Sequence, residues 1–384
     1  MPTISLCMIV YNEENNIRRC LESVRGFANE IIIVDTGSTD RTKSICKEYG
    51  ARIFDFEWKE DFSEARNLSI SKASSDWILL LDADEVLSIG NSAGLKQYLQ
   101  GCEYNLLPVR MTHFYGKKPA DEKRAHFSSA PRLARNDGTV RFTGSIHEKI
   151  ASGNHSIGST SQTRHLIRIL HYGYMEDVFV NKTDRNIPLL LNERDSQSPD
   201  PWLSYYLAAE YYRSGNLDEA YREVNTAIIF FLGKGIKPPA LMYKLKYDML
   251  IASSQYETAY RGIAKAVMLY PNYVDLQLYK GILQYKQGEY SKARDTFRYC
   301  LLLGETNMEY LILSGSGSFL PLHYIGLCHE KQGQAEQAAE AFRQADTLCP
   351  GLGSAGVRFE TLSEKMQVQT DSPQPQQSCL SPYG

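Results

Sequence analysis

Four short apolar runs punctuate the first 81 residues, and polar residues follow each of them. They are ISLCMIV (4–10), the start of EIIIVDTGSTD (30–40), ARIFDFE (51–57) and DWILLL (76–81). Runs of this length, rich in Ile, Val and Phe and bounded by polar clusters, predict strands. Between them lie stripes with helical spacing: Ile17, Cys20, Leu21 and Val24, then Ile45, Cys46 and Tyr49, then the segment DFSEARNLSISKA (61–73). Apolar residues three and four apart predict helices with one buried face. Strand and helix in alternation predict parallel strands joined by crossover helices, an α/β sheet. Such sheets bind ligands beyond the carboxyl ends of their strands. The polar groups YNE, DTGSTD and DADE all fall at those ends.

The fourth run carries the most charge. Asp82, Asp84 and Glu85 arrive within four positions of a buried apolar stretch. Asp82 and Asp84, two apart, fall on one side of a strand end. Hard carboxylate oxygens so placed suit Mg²⁺ or Mn²⁺. A lone acid pair after a strand more often caps a turn. Here the pair shares an edge with two other polar strand ends, which favours a cation. No Walker sequence and no GxGxxG is present, so a phosphate would be gripped through that cation rather than by a glycine loop.

The second half repeats. Ala208, Gly215, Ala220, Val224 and Ala227 align with Gly326, Gly333, Ala338, Phe342 and Ala345. The same frame recovers Ala259, Ile263, Ala266 and Pro271, and then Gly281, Gly288, Ala293, Phe297 and Cys300. Small residues at this spacing resemble the tetratricopeptide repeat, a helix–turn–helix unit. Four units are expected, beginning near 201, 240, 274 and 319, with the insert GETNMEYLILSGSGSF between the last two. Gly315 and Gly317 in that insert lack the strand–glycine–helix context of a nucleotide loop. The stretch NERDSQSPDPW predicts a boundary near residue 198. The expected domains are therefore 1–198, 199–360 and a Pro/Gln/Ser-rich, disordered tail over 361–384.

Composition narrows the classes. A chain of 384 residues, 43% apolar and 23% charged, can fold around sizeable cores. Its formal net charge of −3 comes with no broad basic face, so no nucleic-acid partner is expected. No apolar run is long enough for a membrane span, and the N-terminus lacks a basic leader. Eight scattered cysteines without a CxxC pair fit reduced thiols in a cytoplasmic protein.

Taken together, ISLCMIVYNEENNIRRCLESV, EIIIVDTGSTDRT and EARNLSISKASSDWILLLDADEVL resemble the family 2 glycosyltransferases of the GT-A (Rossmann-like) fold. VRFTGSIHEKI and ILHYGY resemble the subgroup with tetratricopeptide repeats behind the catalytic domain, which includes SunS-like peptide S-glycosyltransferases and some cell-surface glycan transferases. The resemblance implies a metal-dependent hexosyltransferase. It would invert the sugar while moving it from a nucleotide donor, usually a UDP-sugar, to a peptide, protein or glycan acceptor.

The resemblance also implies roles. Tyr11 would flank the uracil, Glu13 reach the ribose, and Asp35 accept from the base. Arg66 would contact the base or phosphates. Asp82 would contact the ribose or the cation's water shell, Asp84 would ligate the cation, and His171 would be a further ligand. A base must take the acceptor's proton on the far face of the sugar. Glu148, beside His147 in GSIHEKI, is the first choice. The repeats are expected to select the acceptor or to form a homodimer. A metal-dependent phosphohydrolase would want a nucleophilic Asp after the first strand, and MIVYNEE supplies none. A non-catalytic repeat scaffold with a degenerate nucleotide site is the remaining alternative. The intact DAD and EARN argue against it.

Overall fold

The computed structural model describes residues 1–152, 157–159, 163, 165–175, 182–196 and 200–351. The expected tail over 361–384, and the residues around the expected cut at 198, lie outside the described residues. The chain groups into two compact units. One takes Met1–Phe114 and Ser128–Gly173, and the other takes Tyr115–Phe127 and the chain from Tyr174 on.

In the first unit β1 (Ile4–Val10), β2 (Glu30–Asp35), β3 (Arg52–Asp55) and β4 (Trp77–Leu80) alternate with α1 (Ile17–Ser23), α2 (Thr42–Glu48) and α3 (Phe62–Ser71). These four strands pair in parallel in the order β3-β2-β1-β4. The α/β expectation for this segment is met. Alternate residues point to opposite faces. Leu6, Met8, Ile33 and Leu79 pack in one cluster, and Cys7, Ile32, Ile78 and Leu80 in another. Both faces are therefore covered, which is why the runs read as continuously apolar.

Beyond β4 the sheet becomes mixed. β5 (Glu85–Ile89), α4 (Ser92–Gln100), β6 (Leu106–Gly116), β7 (Ala125–Arg135), β8 (Val140–Thr143), β9 (Lys149–Ser152) and β10 (Ile167–Met175) follow. The order continues β4-β7-β6-β10-β5, with β7 antiparallel to β4 and β10 antiparallel to β5. β8 and β9 form a separate antiparallel pair.

The second unit is helical. After α5 (Lys182–Ser196), four hairpins follow: α6 (Pro201–Arg213) with α7 (Leu217–Gly233), α8 (Ala240–Ala252) with α9 (Tyr256–Leu269), α10 (Val274–Lys286) with α11 (Tyr290–Leu303), and α12 (Phe319–Lys331) with α13 (Ala335–Leu348). They start where the repeat frame places them. At Gly281 an added Cβ would lie 2.5 Å from the Phe297 ring, and at Gly326 the same distance from Phe342. The glycine on the first helix is thus what lets the phenylalanine of the second come close. Gly215, Gly288 and Gly333 close their turns at positive φ, and Ser254 takes that conformation in the remaining hairpin at φ 58°.

The insert holds a short strand, β11 (Ile312–Leu313), which pairs with Phe127 and His126 within the same unit. Its glycines wrap an acid instead of a nucleotide. Glu305 Oε1 accepts from the Gly315 and Gly317 N–H groups at 3.0 Å each and from Ser318 Oγ at 2.7 Å.

Candidate active site

Parallel pairing puts the ends of β1, β2 and β4 on one edge, with Val10 opposite Asp35. The two loops beyond β1 and β2 lock together there. The Asn12 N–H donates to Ser38 Oγ at 2.9 Å, Glu13 N–H to Thr42 Oγ1 at 2.7 Å and Thr39 N–H to Asn12 Oδ1 at 2.9 Å. Tyr11 is left 57% exposed at the rim, and Glu13 Oε2 accepts from Asn16 Nδ2 at 2.9 Å. Asp35 is buried. Its Oδ1 accepts from the Gly37 and Ser38 N–H groups at 3.1 and 2.9 Å, with Lys43 Nζ at 3.7 Å, while its Oδ2 is buried without a hydrogen-bond partner.

Helix α3 brings the second group. Asp61 caps it by accepting from the Glu64 N–H. Asn67 then clamps it to β8: Nδ2 donates to the Phe142 carbonyl at 2.9 Å and Oδ1 accepts from the Phe142 N–H at 2.8 Å. This clamp places Arg66 between two acids distant in sequence. Its Nη2 donates to Asp82 Oδ1 at 2.9 Å, and its Nε pairs with Glu148 Oε1. His147, next to Glu148, sits at φ 51°. Arg132, on β7, approaches Asp82 Oδ2 at 3.8 Å and donates to Glu85 Oε1 at 2.6 Å. Glu85 Oε2 in turn accepts from the Asp82 N–H at 2.9 Å.

Two arginines among three acids set the electrostatics. Burial works to raise the Asp82 carboxyl, but the Arg66 and Arg132 guanidiniums outweigh it and hold the group below its ordinary value. Glu85 goes the other way. Burial pushes it up to about 7, against the pull of Arg132 and with a push from Asp82. Burial would lower Arg66, yet Asp82 and Glu148 keep it firmly charged.

Asp84 lies against β10, and its charge bears on both Asp82 and Glu85. His171 pairs with Glu85 across the β5–β10 ladder, and the Tyr172 N–H donates to the Asp84 carbonyl at 3.0 Å. These backbone bonds bring His171 Nε2 to 3.5 Å from Asp84 Oδ1. At Gly173 an added Cβ would overlap Asp84 Oδ2 and stand 2.6 Å from His171 Nε2. Only a bare α-carbon leaves room for the two side chains to converge. Among the described residues no three His, Cys, Asp or Glu side chains gather as a ready cage. A carboxylate and an imidazole supply two ligands. Mg²⁺ and Mn²⁺ commonly take the rest from waters and a substrate's phosphates, so the pair fits such an ion.

Of the residues singled out from the sequence, the structure joins Arg66, Asp82 and Glu148 in one network and Asp84 with His171 in a second cluster. Asp35 and Tyr11 share the strand-end edge. Sequence reasoning missed Arg132, Gly173 and a third residue, His113, whose Nδ1 lies 2.9 Å from His171 Nδ1. Only Gly173 carried a signal, as a glycine inside the strand-like HYGY.

The sequence profile of Glycosyl transferase family 2 matches residues 5–159. Glycosyltransferase SunS of Bacillus phage SPbeta, like the SPbeta prophage-derived protein of that name in Bacillus subtilis, is 30% identical over 320 residues, covering 82% of this chain and 70% of its own. A TPR repeat-containing protein of Synechococcus elongatus is 31% identical over 265 residues, and the chain spans 62% of that relative's length. A solved structure of MamA is 16% identical, with 44% of this chain and 91% of that one aligned at a TM-score of 0.37.

Proposed function

This chain belongs to glycosyl transferase family 2, and from that premise we propose that it is an inverting hexosyltransferase using a UDP-sugar and a divalent cation. The observation that carries the reading is the convergence of Asp84 and His171 over the bare α-carbon of Gly173. Asp84 and His171 would hold Mg²⁺ or Mn²⁺, which would supply Lewis-acid stabilisation of the diphosphate leaving group. Charge builds on that group as the sugar C1–O bond breaks, so fixed positive charge nearby favours the transition state over the ground state. Arg66 adds such charge from the protein side. Asp35 and Tyr11, at the same edge, would orient the base, with Glu13 near the ribose. Glu148, which pairs with Arg66, would be the carboxylate that accepts the acceptor's proton.

The acceptor we propose is a peptide, protein or cell-surface glycan. Stacked helix pairs offer an extended surface suited to a chain-like partner. Titrating Mn²⁺ and UDP-sugars into the full chain tests the reading by calorimetry. Asp84→Asn should abolish cation-dependent UDP binding and sugar transfer while leaving the melting temperature near that of the parent. Full transfer in excess EDTA would overturn the cation requirement.

A further inference from the structure

His113 and Ser128 are the residues that follow Asp84 and His171 outward, and neither has a part in the reaction so far. His113 lies on β6 with 6% of its surface exposed, and Ser128 lies on β7 with 1%. The His113 and His171 rings stand nearly perpendicular, at 86°, with their Nδ1 atoms 2.9 Å apart. On its other side, His113 Nε2 is 2.8 Å from Ser128 Oγ. The four groups form one line: Asp84 Oδ1, His171, His113, Ser128.

Two nitrogens at 2.9 Å share a single proton, because one must donate and the other accept. That constraint ties the two rings together. If His171 points an N–H at Asp84 through Nε2, its Nδ1 must accept, so His113 carries its proton on Nδ1 and accepts from Ser128. If His171 Nε2 offers a lone pair to a cation, every bond in the line reverses. His171 Nδ1 then donates to His113 Nδ1, and His113 Nε2 donates to Ser128 Oγ. Both arrangements satisfy the line with neutral rings. Passing from the first to the second, the proton on His171 Nε2 leaves, the shared proton crosses from His113 Nδ1 to His171 Nδ1, and His113 Nε2 takes up one proton.

We infer that His113, backed by Ser128, is a positioning residue that accepts from His171 Nδ1 and so supports the His171 tautomer in which Nε2 presents its lone pair to a divalent cation. The inference rests on the proposed cation site at Asp84 and His171. Partners on the far nitrogen of a ligating imidazole fix its orientation and its tautomer, and losing them typically weakens metal binding about 10–100-fold.

The test measures Mn²⁺ alone binding to the full chain, by the electron paramagnetic resonance signal of free Mn²⁺, with melting temperatures alongside. His171→Ala should weaken binding strongly. If it has no effect, the cation site itself is wrong. His113→Phe keeps the ring's bulk but offers no acceptor, and should weaken Mn²⁺ binding about 10–100-fold. His113→Asn returns an acceptor near the Nδ1 position and should recover most of that affinity, whereas His113→Gln, whose amide reaches further, should not. Should His113→Phe fold poorly, the Asn–Gln comparison decides alone. If His171→Ala weakens binding but the His113 variants all bind as the parent does, or Asn and Gln behave alike, the inference is overturned.

Discussion

At the residue scale the site depends on close approaches that one atom can spoil. Gly173→Ala would drive a methyl group into Asp84 and His171. It should weaken Mn²⁺ binding by about tenfold or more and cost about 1–3 kcal/mol of stability through overpacking. Calorimetry and thermal melting would read the two effects separately. Glu30 shows the opposite case, an acid used for structure. It accepts from Ser5 Oγ and from the Ser74 and Ser75 N–H groups, and pairs with Arg52 at 3.1 Å. Burial works against its charged form, but these donors prevail and hold its carboxyl down to about 2. A folded value below the unfolded one means stability that is present above about pH 4.5 and lost as pH falls toward 2. Glu30→Gln should cost about 1–3 kcal/mol at neutral pH and flatten that acid limb in denaturant melts followed from pH 7 to 3. The candidate site was legible where its residues stand in recognisable local stretches, such as DADE, EARN, GSIHEKI and ILHYGY. Asp82 and Asp84 announce themselves beside an apolar run. His113, Ser128 and Arg132 sit singly in strands; Arg132 meets the acids, and His113 with Ser128 meets His171, only because β7, β6 and β10 are neighbours. No local pattern encodes that.

At the scale of elements, legibility followed periodicity. The first four strands and all four helical hairpins appear where apolar runs and small-residue spacing place them. The strands from β5 to β11 went unread. β6 and β7 are eleven residues each and nearly uninterrupted in burial, yet they contain Arg, His and Ser, which blur both the run and the alternation. The polar residues inside the repeats were equally silent, and one group of them has a measurable role. Lys244 on α8 lies 3.1 Å from both Asp248 and Asp275, and donates to Tyr279 at 2.9 Å. Asp275 also accepts from the Leu313 N–H at 3.0 Å, which ties the insert to α10. Burial lifts Asp275 to about 6 against the pull of Lys244. Removing the Lys244 ammonium takes a counter-charge from two buried acids at once. Lys244→Met should therefore destabilise the protein by about 3–5 kcal/mol in urea melts, and Asp275→Asn made in the Lys244→Met background should restore part of the loss.

At the scale of the molecule, the sequence suggests a cut at 198, while the second compact unit also takes in a segment from the first half of the chain. Residues 115–127 group with the helices, and so does α5. A fragment ending at 198 would keep Phe127 and His126 but lose β11, their strand partner. We expect fragment 1–198 made alone to be less soluble and to melt below the full chain, and co-expression with 199–384 to rescue it. Size exclusion and thermal melting would check this, and a fragment as stable as the whole would refute it. Among the described residues no helix is long and apolar enough to cross a membrane. The pairing of Ile312 with Phe127 also bears on how the protein is made. A ribosome adding about 5–20 residues per second needs roughly 10–40 s to pass from one partner to the other. Through that interval the nascent chain carries a strand edge with its backbone groups open to any passing neighbour. Slow translation or crowding between those two points would be felt as aggregation of unfinished chains, while the completed protein stayed untouched.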